Sequence, residues 1–225
     1  MVHSSDTYNA VILAGGRSSR LGGIDKTRLL FDGESLLDRT IAAVRGANRI
    51  VVASRADAPE PVFSPTNPAL PPTVWVRDEE PFGGPAAALA TGLRALAATP
   101  APWVVVLSAD LPFAAKALPT LLAARRAAPA AGYLGEDPDG RAQFLLACYR
   151  TADLANALAA ATPPGADGSP GSLAGTSMKR VVAPLDPVSV PLAAEWCADI
   201  DTPEDARRHG ILLPTRPERE GVYAR

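Results

Sequence analysis

The sequence predicts a three-layer α/β/α, Rossmann-like fold around a mostly parallel sheet. Up to about residue 130, short runs rich in Val and Ile alternate with longer segments rich in Ala, Leu and Arg. Each short run is almost continuously apolar, which is typical of a strand buried on both faces, and parallel strands require crossover helices. The expected strands are Tyr8–Leu13, Ile50–Ala53, Val74–Val76 and Trp103–Leu107, and the expected helices are Leu36–Arg45, Pro85–Ala98 and Ala114–Arg126.

The second half of the sequence predicts an antiparallel portion of the same sheet. A long strand is expected at Gln143–Arg150, followed by a helix at Ala152–Ala161. Gly46 is expected at the C′ position of the first helix, and Pro85 suits the first turn of the second. The stretches 54–72 and 163–175 are rich in Pro and Gly, so both are expected to be loops. We expect a single domain over residues 1–212, followed by a polar tail at 213–225.

Composition excludes several classes of function. The 225 residues are 47% hydrophobic and 20% charged, which is an ordinary globular balance, and the net charge of −2 provides no basic face for nucleic acid. The N-terminus lacks the apolar core of a signal peptide, and no apolar run is long enough to span a membrane. Two separated cysteines, Cys148 and Cys197, with His3 and His209 argue against a zinc cluster or a disulfide framework. We therefore expect a cytoplasmic protein with no nucleic-acid or membrane partner.

A glycine-rich loop, LAGGRSSRLGGIDK, directly follows the first predicted strand at residues 13–26. Open α/β sheets bind ligands at this edge, and glycines allow backbone N–H groups to approach a phosphate. The loop region contains four cations against one acid: Arg17, Arg20, Lys26 and Arg28 against Asp25. This charge matches a triphosphate, although a glycine-rich turn with solvated arginines is the plainer alternative. The spacing fits neither the G-x-G-x-x-G dinucleotide motif nor a P-loop.

Asp110 lies just beyond the predicted strand Trp103–Leu107, at the same sheet edge as the glycine loop. Pro112 prevents the chain from continuing as a strand. A carboxylate at this position can hold Mg²⁺, which prefers oxygen ligands and bridges substrate phosphates. A turn-forming or helix-capping role is the alternative.

The loop LAGGRSSRLGGIDK resembles the signature of the molybdenum cofactor guanylyltransferase family, which belongs to the nucleotidyltransferases of glycosyltransferase-A-like (nucleotide-diphospho-sugar transferase-like) fold. The likeness extends to about Gly210. Four further segments carry it: Arg77-Asp78 ahead of Phe82–Pro85, Leu107–Pro112, Gln143–Arg150 and Asp199–Asp205. Five motifs in the same order indicate the family more specifically than any one of them does. The resemblance implies a nucleotide-binding part at about 7–130 and an acceptor-binding part at about 131–212.

The resemblance also implies a role for each matching residue. The nucleotide would contact Leu13, Ala14, Gly15, Gly16, Lys26, Ser54, Asp78 and Asp110; Arg20, Lys26 and Asp110 would be catalytic; Asp110 and Asp201 would bind Mg²⁺; and Asp199 would face the acceptor. Apart from the resemblance, the adjacent cations Lys179 and Arg180 close the loop rich in Gly and Pro, and an acceptor with a terminal phosphate would need such groups. Ser54 stands where the family often has Asn. Asp78 could accept hydrogen bonds from guanine, or it could be a surface acid. Lys179 and Arg180 could equally be solvated charges at a helix start, and Thr202-Pro203-Glu204-Asp205 is interpreted as a structural helix start.

The implied reaction transfers GMP from GTP to the phosphate of molybdenum-loaded molybdopterin and releases pyrophosphate. Transient contact with cofactor-delivery or recipient enzymes is a further implication. The alternatives are a cytidylyltransferase, a nucleotidyltransferase for another phosphorylated acceptor, or a non-catalytic nucleotide-binding protein of the same fold. Cytidylyl relatives tend to read Leu-Ala-Ala-Gly, whereas this chain reads Leu13-Ala14-Gly15-Gly16, so GTP is the expected nucleotide.

Overall fold

The computed structural model describes residues 6–16, 21, 24–54, 70–78, 83–165 and 171–213. These residues form a seven-stranded sheet, a two-stranded hairpin and six α-helices. The sheet strands are β1 (Tyr8–Ala14), β4 (Ile50–Ser54), β5 (Thr73–Arg77), β6 (Trp103–Ser108), β7 (Gly132–Glu136), β8 (Ala142–Arg150) and β9 (Val188–Pro191), and the hairpin strands are β2 (Leu30–Phe31) and β3 (Glu34–Ser35). The helices are α1 (Leu36–Ala43), α2 (Pro85–Ala95), α3 (Ala114–Ala127), α4 (Thr151–Ala161), α5 (Met178–Val182) and α6 (Pro203–Arg208).

The sheet has the order β5-β4-β1-β6-β8-β7-β9. Strands β5, β4, β1 and β6 are parallel to one another, whereas β8 runs antiparallel to both of its neighbours, and β9 pairs in parallel with β7. The predicted mostly parallel sheet with an antiparallel portion in the C-terminal half is therefore confirmed.

Helices cover both faces of the sheet. Alternate residues of β1 point to opposite sides: Ile12 packs with α1 and α3, while Val11 packs with α2, α4 and α5. Gly92 of α2 lies so close to Val11 that an added Cβ would be 2.6 Å from its Cγ1 atom. The predicted three-layer architecture is confirmed, and the described helices are too short or too polar to span a lipid bilayer.

Several sequence predictions need correction. Helix α1 ends at Ala43, so Gly46 is not at its C′ position; Gly46 instead allows a close approach, since a Cβ there would be 2.9 Å from the Tyr8 hydroxyl oxygen. Strand β5 is half-buried rather than buried on both faces because it forms one edge of the sheet. Helix α2 ends at Ala95, short of the expected Ala98. The strands β7 and β9 and the hairpin were not predicted.

A small separate core connects the hairpin to the C-terminal segment. Its buried members are Leu21, Leu29, Leu36, Ile200, Ala206 and Ile211. Helix α6 begins with a capping box in which Thr202 and Asp205 exchange side-chain to backbone hydrogen bonds, so the structural interpretation of this motif is confirmed. The core fixes α6 and the segment before it beside the glycine-loop region.

Candidate active site

The site lies at the edge where the parallel strands β1, β4 and β6 end. The register places Ala14 beside Ser54 and Leu13 beside Ser108. Beyond the last β6 residue, the backbone N–H of Ala109 donates a 3.0 Å hydrogen bond to the carbonyl oxygen of Leu13. This bond extends the pairing of β6 with β1 by one residue. Asp110 therefore lies near the end of β1, where the glycine-rich loop begins, as the sequence predicted.

Lys26 connects two acidic residues that are distant in the chain. Its Nζ atom lies 3.4 Å from Oδ2 of Asp110 and forms an ion pair with Oδ1 of Asp201. The Lys26 and Asp110 side chains are only 13% and 16% exposed, whereas that of Asp201 is 37% exposed. The structure therefore brings the three residues together in a partly enclosed charged cluster with one side open to solvent.

A short 3₁₀ turn at Lys26–Arg28 holds the lysine in this position. The Asp25 side chain caps the turn by accepting hydrogen bonds from the backbone N–H of Thr27 at 3.1 Å and from its hydroxyl at 2.7 Å. Asp25 thus has a structural role as the cap of the turn, and the neighbouring Lys26 pairs with Asp110 and Asp201.

The charges of the cluster perturb its titration. Burial alone would lower the pKa of Lys26, but the hydrogen bond from Lys26 to Asp201 and the charges of Asp110 and Asp201 outweigh it, so the pKa is raised. Partial burial, followed by the charges of Asp110 and Asp201, raises the pKa of Asp199. Lys26 is therefore cationic at neutral pH and stabilises a site with excess negative charge.

Ser108 is a site residue that the sequence analysis missed. Its hydroxyl donates a 2.5 Å hydrogen bond to Oδ1 of Asp110. The two oxygens of Asp110 thus have different partners, Ser108 and Lys26. Ser108 lies within the segment Leu107–Pro112 that carries the family resemblance, but the sequence analysis assigned a role there only to Asp110.

Two cavities meet at this cluster. The loop cavity, of about 40 Å³, is lined by Leu13, Ala14, Gly16, Asp25, Lys26, Thr27, Ser108, Ala109 and Asp110. The β8 cavity, of about 350 Å³, is lined by Pro85, Ser108, Asp110, Leu111, residues 142–146, Met178 and Asp199. Among the described residues, Ser108 and Asp110 line both cavities. The cluster can therefore face two ligands at once.

The predicted glycine-loop contacts are described in part. Leu13, Ala14 and Gly16 line the loop cavity, and Gly15 connects them. Gly16 is exposed, and a Cβ added to it would meet no atom of the described residues within 4 Å. Those residues therefore leave open space beside Gly16. Arg20, predicted to be catalytic, lies outside the described residues.

Ser54 and Asp78 lie at the ends of neighbouring strands. The backbone N–H of Asp78 donates a 2.8 Å hydrogen bond to the carbonyl oxygen of Ser54, and the Ser54 hydroxyl lies 3.4 Å from the carbonyl oxygen of Val76. Asp78 lines a third cavity of about 500 Å³ between α2 and α4, together with Thr91 and Arg94. Ser54 and Asp78 share the predicted edge, but the described lining of the cavity beside Asp78 includes neither Ser54 nor Lys26 nor Asp110.

Lys179 and Arg180 are exposed in the first turn of α5, where Ser177 caps the helix by accepting a 3.2 Å hydrogen bond from the Arg180 backbone N–H. Their buried neighbour Met178 lines the β8 cavity. The end of the preceding loop is attached to the segment before α2, because the Gly175 N–H donates a 3.0 Å hydrogen bond to the Gly83 carbonyl oxygen. The two cations thus border the site region without joining the Lys26 cluster.

The described residues contain no group of three or more His, Cys, Asp or Glu side chains arranged to hold a metal ion. Asp110 and Asp201 nevertheless supply two oxygen donors to one small cation, the Lys26 ammonium. Mg²⁺ commonly binds through one or two carboxylates, with waters and substrate phosphates completing its coordination. The donor set therefore fits Mg²⁺ in the presence of a nucleotide.

A family model described as the MobA-like NTP transferase domain matches residues 10–175. This chain belongs to that family. The match includes Lys26, Ser108 and Asp110, whereas Asp199 and Asp201 lie beyond it and are brought to the site by the fold.

Curated relatives agree with this membership, and solved structures share the fold. The chain is 35% identical over 150 residues to the molybdenum cofactor guanylyltransferase of Acidiphilium cryptum, covering 66% of this chain and 70% of that one. The molybdenum cofactor guanylyltransferase of Mesorhizobium japonicum is 37% identical over 126 residues, which is 56% of each chain. The structure of this chain also matches that of the molybdopterin-guanine dinucleotide biosynthesis protein A of Archaeoglobus fulgidus, with a TM-score of 0.59 and 19% identity. The match covers 89% of this chain and 96% of that one. The 2-C-methyl-D-erythritol 4-phosphate cytidylyltransferase of Francisella tularensis has a TM-score of 0.66 at 15% identity, with coverage of 91% and 98%.

Proposed function

We propose that this protein transfers GMP from GTP to the phosphate of molybdenum-loaded molybdopterin, with release of pyrophosphate. The observation that carries the proposal is the position of Lys26 in the wall of the loop cavity, between Asp201 and Asp110, where Asp110 also lines the β8 cavity. The names of the curated relatives supply the nucleotide and the acceptor.

The reaction is an in-line displacement at the α-phosphorus of GTP. A phosphate oxygen of the acceptor forms the new P–O bond, the bond from the α-phosphorus to the bridging oxygen breaks, and pyrophosphate leaves with the electron pair. No covalent enzyme intermediate is needed, so the protein contributes positioning and charge neutralisation. Gly15 and Gly16 would approach the triphosphate, Arg20 would add a cation, and Lys26 would neutralise charge that develops between the α-phosphate and the leaving group.

Lys26 would change partners when GTP binds. In the ligand-free protein its ammonium neutralises Asp110 and Asp201. A triphosphate bound at the glycine loop offers stronger negative charge, so Lys26 would turn towards it and release the carboxylates. Asp110 and Asp201 would then hold Mg²⁺, which supplies Lewis-acid stabilisation and a template for the phosphates when bound.

The β8 cavity is the proposed acceptor site. Its volume of about 350 Å³ is within the usual range for small-molecule pockets, and Asp110 forms part of the wall that it shares with the loop cavity. Phe144, Leu145 and Met178 provide an apolar surface suited to a heterocyclic ring. Asp199 is a polar group in the same wall, whereas Lys179 and Arg180 would meet the acceptor's phosphate only from the rim.

The guanine base is assigned to the neighbourhood of Ser54 and Asp78, at the ends of β4 and β5. A carboxylate can accept hydrogen bonds from the N1–H and the exocyclic amine of guanine, and cytosine presents no equivalent pair. Asp78 therefore favours GTP over CTP. The reaction is placed in the cytoplasm, and the acceptor would be received from, or passed to, partner enzymes through transient contacts.

The test is a comparison of the four nucleoside triphosphates. The purified protein would be incubated with Mg²⁺, molybdenum-loaded molybdopterin and each triphosphate in turn, with pyrophosphate release as the measurement. We expect release with GTP, dependent on both the acceptor and Mg²⁺. Preferential release with CTP would replace the guanylyl assignment by the cytidylyl alternative, and nucleotide binding without turnover would favour the non-catalytic alternative.

A further inference from the structure

We infer that Ser108 is a positioning residue that fixes the orientation of the Asp110 carboxylate for binding a divalent cation and nucleotide. This inference rests on the proposed function, because it assigns Asp110 to the cation. Ser108 donates to Oδ1 of Asp110 at 2.5 Å, while Oδ2 is 3.4 Å from the Lys26 ammonium. One oxygen is thus held by the strand end, and the other faces the charged cluster.

The backbone determines where the Ser108 hydroxyl lies. Ser108 is the last residue of β6 and pairs with Leu13 of β1, and the next residue, Ala109, donates to the Leu13 carbonyl oxygen at 3.0 Å. The serine is therefore anchored to the central strand of the parallel half of the sheet. Asp110 follows in a turn, where its side chain would be free to rotate about χ2 without a local partner.

The contact with Ser108 becomes more important when ligands bind. In the ligand-free protein Asp110 has two partners, Ser108 and Lys26. When Lys26 moves to a triphosphate, Asp110 loses its contact with Lys26 and keeps its hydrogen bond with the Ser108 hydroxyl. It then keeps Oδ2 directed towards Asp201 and the loop cavity. A hydroxyl that orients a metal-binding carboxylate typically changes metal affinity or activity by 10- to 100-fold when removed.

The test measures protein-bound Mn²⁺ by electron paramagnetic resonance in the presence of GTP and without acceptor, with the variants Ser108→Ala, Ser108→Thr, Asp110→Asn and the double variant. Ser189→Ala is the matched control, because Ser189 is exposed on the edge strand β9. We expect Ser108→Ala to weaken Mn²⁺ binding about tenfold, with an unchanged thermal midpoint. Ser108→Thr, which keeps the hydroxyl, should retain most of the affinity, and Ser189→Ala all of it.

The double variant separates positioning from general structural support. If Ser108 acts through Asp110, adding Ser108→Ala to Asp110→Asn should cause no further loss of Mn²⁺ binding. Additive losses, or normal Mn²⁺ binding by Ser108→Ala, would overturn the inference. Absence of Mn²⁺ binding by the unaltered protein would also overturn it, together with the cation assignment. Normal Mn²⁺ binding without guanylyl transfer would reject only the proposed function.

Discussion

The backbone N–H of Ile200 donates a 3.2 Å hydrogen bond to the carbonyl oxygen of Asp110. Ile200 is fully buried in the small core with Leu29 and Leu36, and its neighbours Asp199 and Asp201 reach the site on either side of it. One apolar anchor and one backbone bond therefore bring the C-terminal carboxylates beside a carboxylate from the central sheet. Each charged residue of the site can therefore be replaced singly to test its role.

Loss of the Asp110 charge should reduce turnover far more than stability. We expect Asp110→Asn to lower kcat by at least about 100-fold, the scale of losing one preorganised charge-stabilising group. Asp139→Asn is the matched control, since Asp139 is exposed in the turn before β8. The measurement is steady-state pyrophosphate release at saturating Mg²⁺ with thermal unfolding of both variants. Near-normal activity of Asp110→Asn would remove this residue from the site.

Replacement of Lys26 should affect cation binding and turnover in opposite directions. Lys26→Met removes the cation shared by Asp110 and Asp201, so nucleotide-free protein should bind Mn²⁺ more tightly. Turnover should nevertheless fall about 100-fold, because the charge that stabilises the transition state is lost. Lys116→Met is the control, since Lys116 forms an exposed ion pair with Glu195. Weaker Mn²⁺ binding in Lys26→Met would contradict the proposed exchange of partners.

Nucleotide preference should depend on Asp78. We expect GTP to bind more tightly than CTP, and Asp78→Ala to reduce the difference by about 1–3 kcal/mol because the guanine donors lose their acceptor. Calorimetric titration of both nucleotides into both proteins measures this change, and Asp139→Ala serves as the control. Equal affinities of the unaltered protein for GTP and CTP would refute the assignment of guanine specificity.

Acceptor handling should be separable from nucleotide handling at α5. Replacing Lys179 and Arg180 with Ala should raise the KM for the acceptor and leave GTP binding nearly unchanged, because both residues are exposed on α5 and do not line the loop cavity. Arg207→Ala together with Arg208→Ala, in the exposed last turn of α6, is the matched control. Unaltered acceptor kinetics would mean that Lys179 and Arg180 are simply solvated charges at a helix start.

The close approach of α2 to the sheet should limit substitution of Gly92. Alanine normally favours a helix over glycine by about 1 kcal/mol, but here a Cβ would be 2.6 Å from Cγ1 of the buried Val11. We expect Gly92→Ala to destabilise the protein by about 1–3 kcal/mol through overpacking. In a Val11→Ala background the same change should be neutral or stabilising. Denaturant unfolding of the four proteins measures the coupling, and purely additive effects would disprove the contact.

Local sequence patterns predicted much of the fold and part of the site. Continuous apolar runs identified β1, β4, β5 and β6, since strands buried by crossover helices need apolar residues on both faces. The rule that ligands bind at the carboxyl ends of parallel strands predicted that the glycine loop and Asp110 would share an edge. The strands β7 and β9 were missed because Gly132–Glu136 and Val188–Pro191 are short and lack a distinct apolar run.

The sequence by itself determined the α/β class, the glycine-rich loop after β1 and the acidic residue after β6, because each depends on a contiguous run of residues. Tertiary structure alone decided that Lys26 lies between Asp110 and Asp201, and that Ser108 holds one oxygen of Asp110. These contacts depend on the strand register and on the burial of Ile200 in a core assembled from distant segments. Sequence spacing carries no information about such distances, since side-chain packing and hydrogen bonds between separate elements determine them.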